Sequence, residues 1–326
     1  MSGDLEGRVL VLGDSVPTNF LNDLRTAGLE VRNPPGSFPP AILDEGEFRD
    51  QLQGCRACLL GGDEIATASV LQAAAPELRV VSFLGVGYES FVDAEAAAKL
   101  GIKVTNTPGV LSDSVAEFTV GLVLDAWRRI SEFVTLGHAA AQVKRHDLRG
   151  HRVGIVGLGA IGTRIVEILT RGFEAEVAYF SRTRRPGIEE DLGIAFRPLD
   201  RLVREVDCLI VMVPETAATV GMIDRETFAG REPDSRLILV NTSRADVVEP
   251  DGLSWAIDTG RVESAWFDGF YRVPSATTEA LERRPEVEVS PHVASLTYEA
   301  RDAMAERAVG SLLNLLRGGE DEYVVN

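Results

Sequence analysis

Short apolar runs that end in glycine alternate with stretches of helical spacing along most of the chain. RVLVLG (8–13) is followed by the helical pattern NFLNDLRTAG (19–28). CRACLLGG (55–62) and LRVVSFLGVG (78–87) repeat the run-then-glycine pattern, with helical patterns at 67–75 and 93–100, and IKVTNTPG (102–109) is another short strand. Continuous apolar runs bounded by turn residues and interleaved with helices predict parallel strands covered on both faces. At Ser112 the rhythm changes to one long helical stretch, SDSVAEFTVGLVLDAWRRI (112–130), with capping residues at its start and Arg128 and Arg129 near its end. A second series opens at RVGIVGLGAIG (152–162). It continues through EVAYF (176–180), DCLIVMV (207–213), RLILVNTS (236–243), VESAWFD (262–268) and EVEVSP (286–291). Two such series predict an α/β protein with two doubly wound parallel-sheet domains. The closing stretch TYEARDAMAERAVGSLLNLLRGG reads as a helix, and its spacing does not say which sheet it covers.

A chain of 326 residues, 45% apolar and 25% charged, has the length for two cores and an ordinary globular composition. Fifty acidic against 33 basic residues leave a net charge of −17, which repels phosphate backbones and anionic headgroups. Nucleic-acid and membrane partners are therefore not expected. MSGDLEGRVLVLG lacks the basic-then-apolar plan of a signal peptide, and no apolar run is long enough to span a bilayer, so a cytoplasmic location is expected. Cys55 and Cys58 form a C-x-x-C with no second Cys or His cluster nearby, so buried reduced thiols are expected and no metal site.

Gly157, Gly159 and Gly162 form G-L-G-A-I-G, with Ala160 and Ile161, between the strand RVGIV and the helix TRIVEILTRGF. In that context the first glycine permits a tight turn and the second lets backbone approach a pyrophosphate. The third lets helix and strand pack closely, and the helix N-terminus offers unpaired N–H groups to phosphate. The strand, turn and helix in register predict a bound dinucleotide, against the plain alternative of a purely structural glycine turn. The next strand ends in Ser181-Arg182-Thr183-Arg184-Arg185, where an NAD-preferring site would carry an acidic side chain for the ribose hydroxyls. Hydroxyls and guanidinium groups suit a 2′-phosphate, so NADP is expected in preference to NAD. The plain alternative is a solvated loop of charges.

The ordered motifs G-V-G-Y-E-S (85–90), G-I-K-V-T-N-T-P-G (101–109), V-A-E (115–117), G-L-G-A-I-G, N-T-S-R (241–244), F-D-G-F (267–270) and S-P-H-V-A-S (290–295) resemble the D-isomer-specific 2-hydroxyacid dehydrogenase family. The resemblance is closest to the glyoxylate and hydroxypyruvate reductase branch. It implies a flavodoxin-like substrate domain made from 1–108 plus 294–326, with a Rossmann coenzyme domain at 109–293 inserted and the active site in the cleft between them. It implies hydride transfer between NADP or NAD and a small 2-oxo or 2-hydroxy acid. By resemblance Arg244 binds the substrate carboxylate and carbonyl, where a planar guanidinium meets a 2-oxo acid in a fork. By resemblance His292 is the acid/base, and imidazole titrates in the range that task needs. Asp268 resembles the family acid near the nicotinamide. Val86 and Gly87 would offer backbone N–H groups to the substrate carboxylate, and Val213, Pro214, Thr219 and Thr242 would line the coenzyme cleft. Gly61 and Gly62 fall where relatives contact substrate, with no role assigned beyond shape.

The chain departs from the family in one place. Relatives carry a glutamate 29 residues after the arginine, before a proline; here that position is Val273, followed by Pro274. Glu279 and Glu282 are the nearby carboxylates. Without an opposite charge the imidazolium loses stabilisation, so His292 is expected to titrate lower than in a relative that keeps the pair. Three readings follow: a reductase with an altered pH profile, an enzyme on an unusual acid, or a dinucleotide-sensing regulator with little catalysis. Retention of both Arg244 and His292 favours an enzyme. The helix 112–130 carries an extensive apolar face (Val115, Phe118, Leu122, Leu124, Trp127), and relatives dimerise through this region, so a homodimer is expected. The segment GHAAAQVKRHDLRG (137–150) is shorter than its family counterpart and lacks a Gly-x-Trp.

Overall fold

A computed structural model describes residues 5–13, 16–32, 42–136 and 145–326. Residues 1–4 of the N-terminal stretch and 137–144 of the shortened segment lie outside these. The chain divides into two compact units, Met1–Leu111 with Leu296–Asn326, and Ser112–Ser295.

In the first unit five strands pair in parallel: β1 Arg8–Leu12, β2 Glu30–Arg32, β3 Cys55–Leu60, β4 Val80–Phe83 and β5 Lys103–Thr105. Their order is β2-β1-β3-β4-β5, a flavodoxin-like winding. Alternate residues of one strand feed opposite layers: Val9 and Val11 join one core, Leu10 and Leu12 the other. The C-terminal helix Tyr298–Leu316 covers the Val9 face through Ala308, Val309 and Leu312, and Ser82 Oγ donates to its Ala308 carbonyl at 3.1 Å. Cys55 and Cys58 are free and buried in the opposite core, where burial pushes the Cys58 thiol well above its ordinary value. They behave as small apolar side chains.

The second unit contains seven parallel strands: β6 Arg152–Val156, β7 Glu176–Phe180, β8 Ala195–Phe196, β9 Cys208–Val211, β10 Leu237–Asn241, β11 Val262–Asp268 and β12 Val287–Ser290. Their order is β12-β11-β10-β9-β6-β7-β8, so the winding reverses between β9 and β6. Because every pairing is parallel, all carboxyl ends open on one edge of the sheet. Ligands of open α/β sheets bind outside that edge, at the reversal.

Two expectations change. The two edge strands β2 and β8 were not read from the pattern; they are three and two residues long and lack an apolar run. The single helix expected over 112–130 ends at Arg128, and a second helix, Ile130–Leu136, starts after Arg129. Arg129 adopts φ +53°, and Asp125 Oδ1 accepts from both the Ser131 N–H and hydroxyl, so the chain turns at that residue. Arg129 itself lies between Glu132 and Glu263, at 3.4 and 3.8 Å.

Candidate active site

Strand register brings the predicted residues together. One row of paired residues near the carboxyl edge runs Phe267–Asn241–Val211–Val156–Phe180 across β11, β10, β9, β6 and β7. One residue further along each strand gives Asp268, Thr242, Met212, Gly157 and Ser181. Four of those five are site residues expected from sequence, on five neighbouring strands.

At the reversal, the Gly157 N–H donates to Phe180 O at 2.8 Å, holding the glycine turn to the end of β7. Gly157 has φ +106°, and a Cβ there would lie 2.2 Å from Met212 O and 2.9 Å from a Val213 methyl. A Cβ on Gly162 would lie 2.2 Å from Gly157 O. Both positions are closed to any side chain. Gly159 is the opposite case: it caps the helix Ala160–Phe173 without a side-chain acceptor, is exposed, and a Cβ there would meet nothing within 4 Å. Among the described residues the first-turn N–H groups of Ala160, Ile161 and Gly162 donate to no backbone partner, and Gly159 and Ala160 are exposed. That fits a pyrophosphate, which needs unpaired N–H donors and close approach.

Beyond β7 the Ser181 hydroxyl donates to Thr183 O at 2.6 Å, which folds the loop on itself. Arg182 and Thr183 are exposed. Arg184 is held by Glu189 in a two-point pair, Nε to Oε1 at 2.8 Å and Nη2 to Oε2 at 2.7 Å. The Arg184 guanidinium and the Tyr179 hydroxyl, 2.7 Å away, hold the Glu189 carboxyl down at about 2. Beyond β9, Thr219 donates to Pro214 O at 2.6 Å and accepts from the Thr216 N–H at 2.8 Å, bracing the loop that carries Val213 and Pro214.

Arg244 follows β10 in a turn organised by Asn241. The buried Asn241 carboxamide accepts from the Ser243 N–H and hydroxyl, both at 2.9 Å, and donates to Arg244 O at 2.8 Å. Arg244 is half-buried and starts the short 3-10 turn Ala245–Val247. Thr242 is buried against Thr119, with hydroxyls 2.7 Å apart. Thr119 spends its one proton on Val115 O at 2.6 Å, so Thr242 is the donor to Thr119.

His292 follows β12 with φ +56°, and its ring lies beside Gly269, where a Cβ would come within 3.2 Å of Nδ1. The loop that carries it is gripped by Asp268, which is 4% exposed. Asp268 Oδ1 accepts from the Ser290 hydroxyl at 2.6 Å and from the Val293 N–H at 2.8 Å; Oδ2 accepts from the Ala294 N–H at 2.8 Å. Three donors on one carboxylate fix the main chain on both sides of His292. Arg244 and His292 thus follow strands two apart at the same edge, about 10 Å between strand axes. Val273 is 75% exposed, and Glu279 pairs with Arg283 of its own helix at 3.2 Å.

In the first unit, Val86 O accepts from Asn106 Nδ2 at 2.9 Å. Among the described residues neither the Val86 nor the Gly87 N–H donates a hydrogen bond. Residues that sequence reasoning passed over are Asn241, Thr119, Ser290 and Tyr271. Asn241 carried a signal, since an Asn beside Thr and Ser forms side-chain-to-backbone turns. The others act through contacts distant in sequence.

Comparison with known proteins agrees with this geometry. Residues 120–294 match the profile of the D-isomer specific 2-hydroxyacid dehydrogenase, NAD binding domain. A glyoxylate reductase of Korarchaeum cryptofilum is 36% identical over 285 residues, covering 85% of this chain and 84% of that protein. A glyoxylate reductase of Thermococcus onnurineus is 36% identical over 264 residues, covering 78% of each. Among solved structures, an NADPH-dependent glyoxylate/hydroxypyruvate reductase of Sinorhizobium meliloti, in complex with NADP and malonate, superposes with a TM-score of 0.80 at 30% identity, covering 98% of this chain and 96% of that one.

Proposed function

The chain belongs to the D-isomer-specific 2-hydroxyacid dehydrogenase family and is an NAD(P)-dependent oxidoreductase of 2-oxo and 2-hydroxy acids, and within that activity we propose that Arg244 binds the substrate and His292 is its acid/base. The observation that carries this reading is the placement of Arg244 and His292 at one sheet edge, with the Asp268 carboxylate fixing the His292 loop. The nicotinamide, when bound, supplies or accepts the hydride. The Arg244 guanidinium pairs with the carboxylate of the acid and steadies charge on its carbonyl oxygen. In reduction His292 gives the alcohol oxygen its proton, and in oxidation it takes that proton back. The Val86 and Gly87 N–H groups, which donate to none of the described residues, are the proposed carboxylate donors of the first unit. Gly157, Gly159, Ala160, Ile161 and Gly162 take the pyrophosphate, with Val213, Pro214, Thr219, Thr242 and Asp268 along the same edge.

NADP is the preferred cofactor in this reading. Arg182 and Thr183 offer a guanidinium and a hydroxyl, and Ser181 puts no carboxylate at the end of β7 while its own hydroxyl holds the loop through Thr183 O; Arg184 is committed to Glu189. The substrates are small 2-oxo acids of the glyoxylate and hydroxypyruvate kind, on which the relatives are named to act. A homodimer is supported by Ile130 and Val134, 49% and 80% exposed beside the helix Ser112–Arg128. No helix among the described residues is long and apolar enough to cross a membrane, and the three free buried cysteines suit a reducing cytoplasm.

The test is turnover of glyoxylate and hydroxypyruvate with NADPH and NADH by the wild type, Arg244→Lys and His292→Asn. The reading expects turnover that falls at least about a hundredfold in both variants, a loss of the size a general acid contributes. Variants that keep wild-type turnover contradict the assigned roles. Val134→Glu is expected to turn a dimer into a monomer on analytical ultracentrifugation, and a wild type that sediments as a monomer removes the dimer from the account.

A further inference from the structure

The segment Asp268–Tyr271 touches both of the loops just described. At one end the Asp268 carboxylate grips the loop of His292. At the other end the Tyr271 hydroxyl donates to Val248 O at 2.9 Å. Val248 closes the short turn that Arg244 opens: the Val247 N–H donates to Arg244 O, and the Val248 N–H to Ala245 O at 2.9 Å. Only Gly269 and Phe270 lie between the two gripping residues, so β11 and its first turn join the loops of Arg244 and His292 through one short stretch of chain.

Tyr271 is well seated for such a task. Its ring packs edge-on to Phe270 at 4.9 Å and lies 6.0 Å from Phe267, which itself is buried in the core. Burial, with the charges of Asp246 and Glu249 nearby, pushes its phenol well above the ordinary value. It therefore stays protonated, and a donor, at any working pH. Position 273, two residues on, carries an exposed valine, so the loop does not supply a carboxylate there to orient the imidazole.

We propose that Tyr271 is a positioning residue: its hydroxyl, acting on Val248, holds the Arg244 turn in register with the His292 loop that Asp268 holds from the same segment. This inference rests on the assignment of Arg244 as the carboxylate ligand. A guanidinium that must meet a carboxylate in a fork tolerates little drift, and a displacement of about 1 Å can cost as much as a hundredfold in rate. Arg244 both pairs with the acid and steadies its carbonyl oxygen, so its drift lowers kcat/KM, while Tyr271 itself moves no proton.

The test is Tyr271→Phe, which removes the hydroxyl and keeps the ring. With glyoxylate and saturating NADPH we expect kcat/KM for the acid to fall at least fivefold and the pH limb of kcat to stay in place. NADPH affinity should be unchanged. Amide hydrogen exchange should quicken in peptides covering 245–248 and not in those covering 290–294. A kcat/KM within twofold of wild type, or exchange that rises at 290–294 instead, overturns the proposal. So does a fall in kcat with a displaced pH limb, which would make Tyr271 a proton donor. If Arg244→Lys binds glyoxylate as the wild type does, the substrate role of Arg244 fails on its own. The exchange measurement still decides whether Tyr271 holds the turn.

Discussion

Replacing Asp268 by Asn changes one atom and removes one charge. The carboxylate accepts from three donors, at 2.6, 2.8 and 2.8 Å, and two of these are main-chain N–H groups one on each oxygen. A carboxamide has one oxygen. Whichever way it turns, its NH2 faces either the Val293 or the Ala294 N–H, donor against donor. One charge-assisted hydrogen bond is lost, about 1.5–3 kcal/mol, and a buried N–H is left unsatisfied at about 1–3 kcal/mol. Ala294 is only 4% exposed, so water offers little relief. A net cost of about 3 kcal/mol falls on a loop that already holds His292 at φ +56°. At about 1.4 kcal/mol per factor of ten, that is on the order of a hundredfold in the equilibrium between the native loop and its displaced forms. Asp268→Asn should therefore lower kcat for glyoxylate by up to about a hundredfold and quicken amide exchange over 290–294, while the Arg244 turn exchanges as before. If kcat stays within threefold of wild type and exchange over 290–294 is unchanged, the carboxylate does not hold the His292 loop and the argument is wrong.

The glycine turn makes a graded prediction. Gly162→Ala, whose Cβ meets a carbonyl at 2.2 Å, should lower the melting temperature of the second unit, and Gly159→Ala should leave it unchanged while weakening NADPH binding, as read by calorimetry. Val273→Glu should move the upper pH limb of glyoxylate reduction to higher pH, because an added carboxylate favours the imidazolium; a limb that does not move would show that position 273 does not face His292. Glu189, held at about 2 against an ordinary 4.5, has a depressed pKa in the folded state, so its contribution to the β7 loop is complete above about 4.5 and is lost as pH falls toward 2. Glu189→Gln should remove that acid dependence from amide exchange over 181–192, and an unchanged profile would sink the Arg184–Glu189 pair as its source.

Central strands were legible because they are buried on both faces and leave continuous apolar runs bounded by glycine. Glu30–Arg32 and Ala195–Phe196 are three and two residues long with no fully buried position, and leave no such run, whereas the other two edges, Lys103–Thr105 and Val287–Ser290, keep buried apolar positions. The break at Arg129 was hidden because arginine suits the last turn of a helix, and the cause is a side chain four residues back, Asp125, that accepts from Ser131. The glycine turn was legible down to the roles of Gly157 and Gly162, since spacing alone encodes a tight turn and a close approach. Pattern could not show which face the C-terminal helix covers, because the deciding contacts join Ala308 and Leu312 to strands at the start of the chain. At the site, resemblance placed Asp268 near the nicotinamide. Its three bonds to the 290–294 loop were out of reach, because partners 22 to 26 residues away leave no local signal. Tyr271 is the same case, with its partner 23 residues earlier.

The most direct test of the account is the oxidation of NADPH by the purified protein with glyoxylate as the acceptor, followed by the loss of reduced-nicotinamide absorbance. The account predicts steady turnover by the wild type that falls at least about a hundredfold in both Arg244→Lys and His292→Asn, with NADPH binding intact in each. NADPH binding without turnover in the wild type, or turnover close to wild type in either variant, contradicts it.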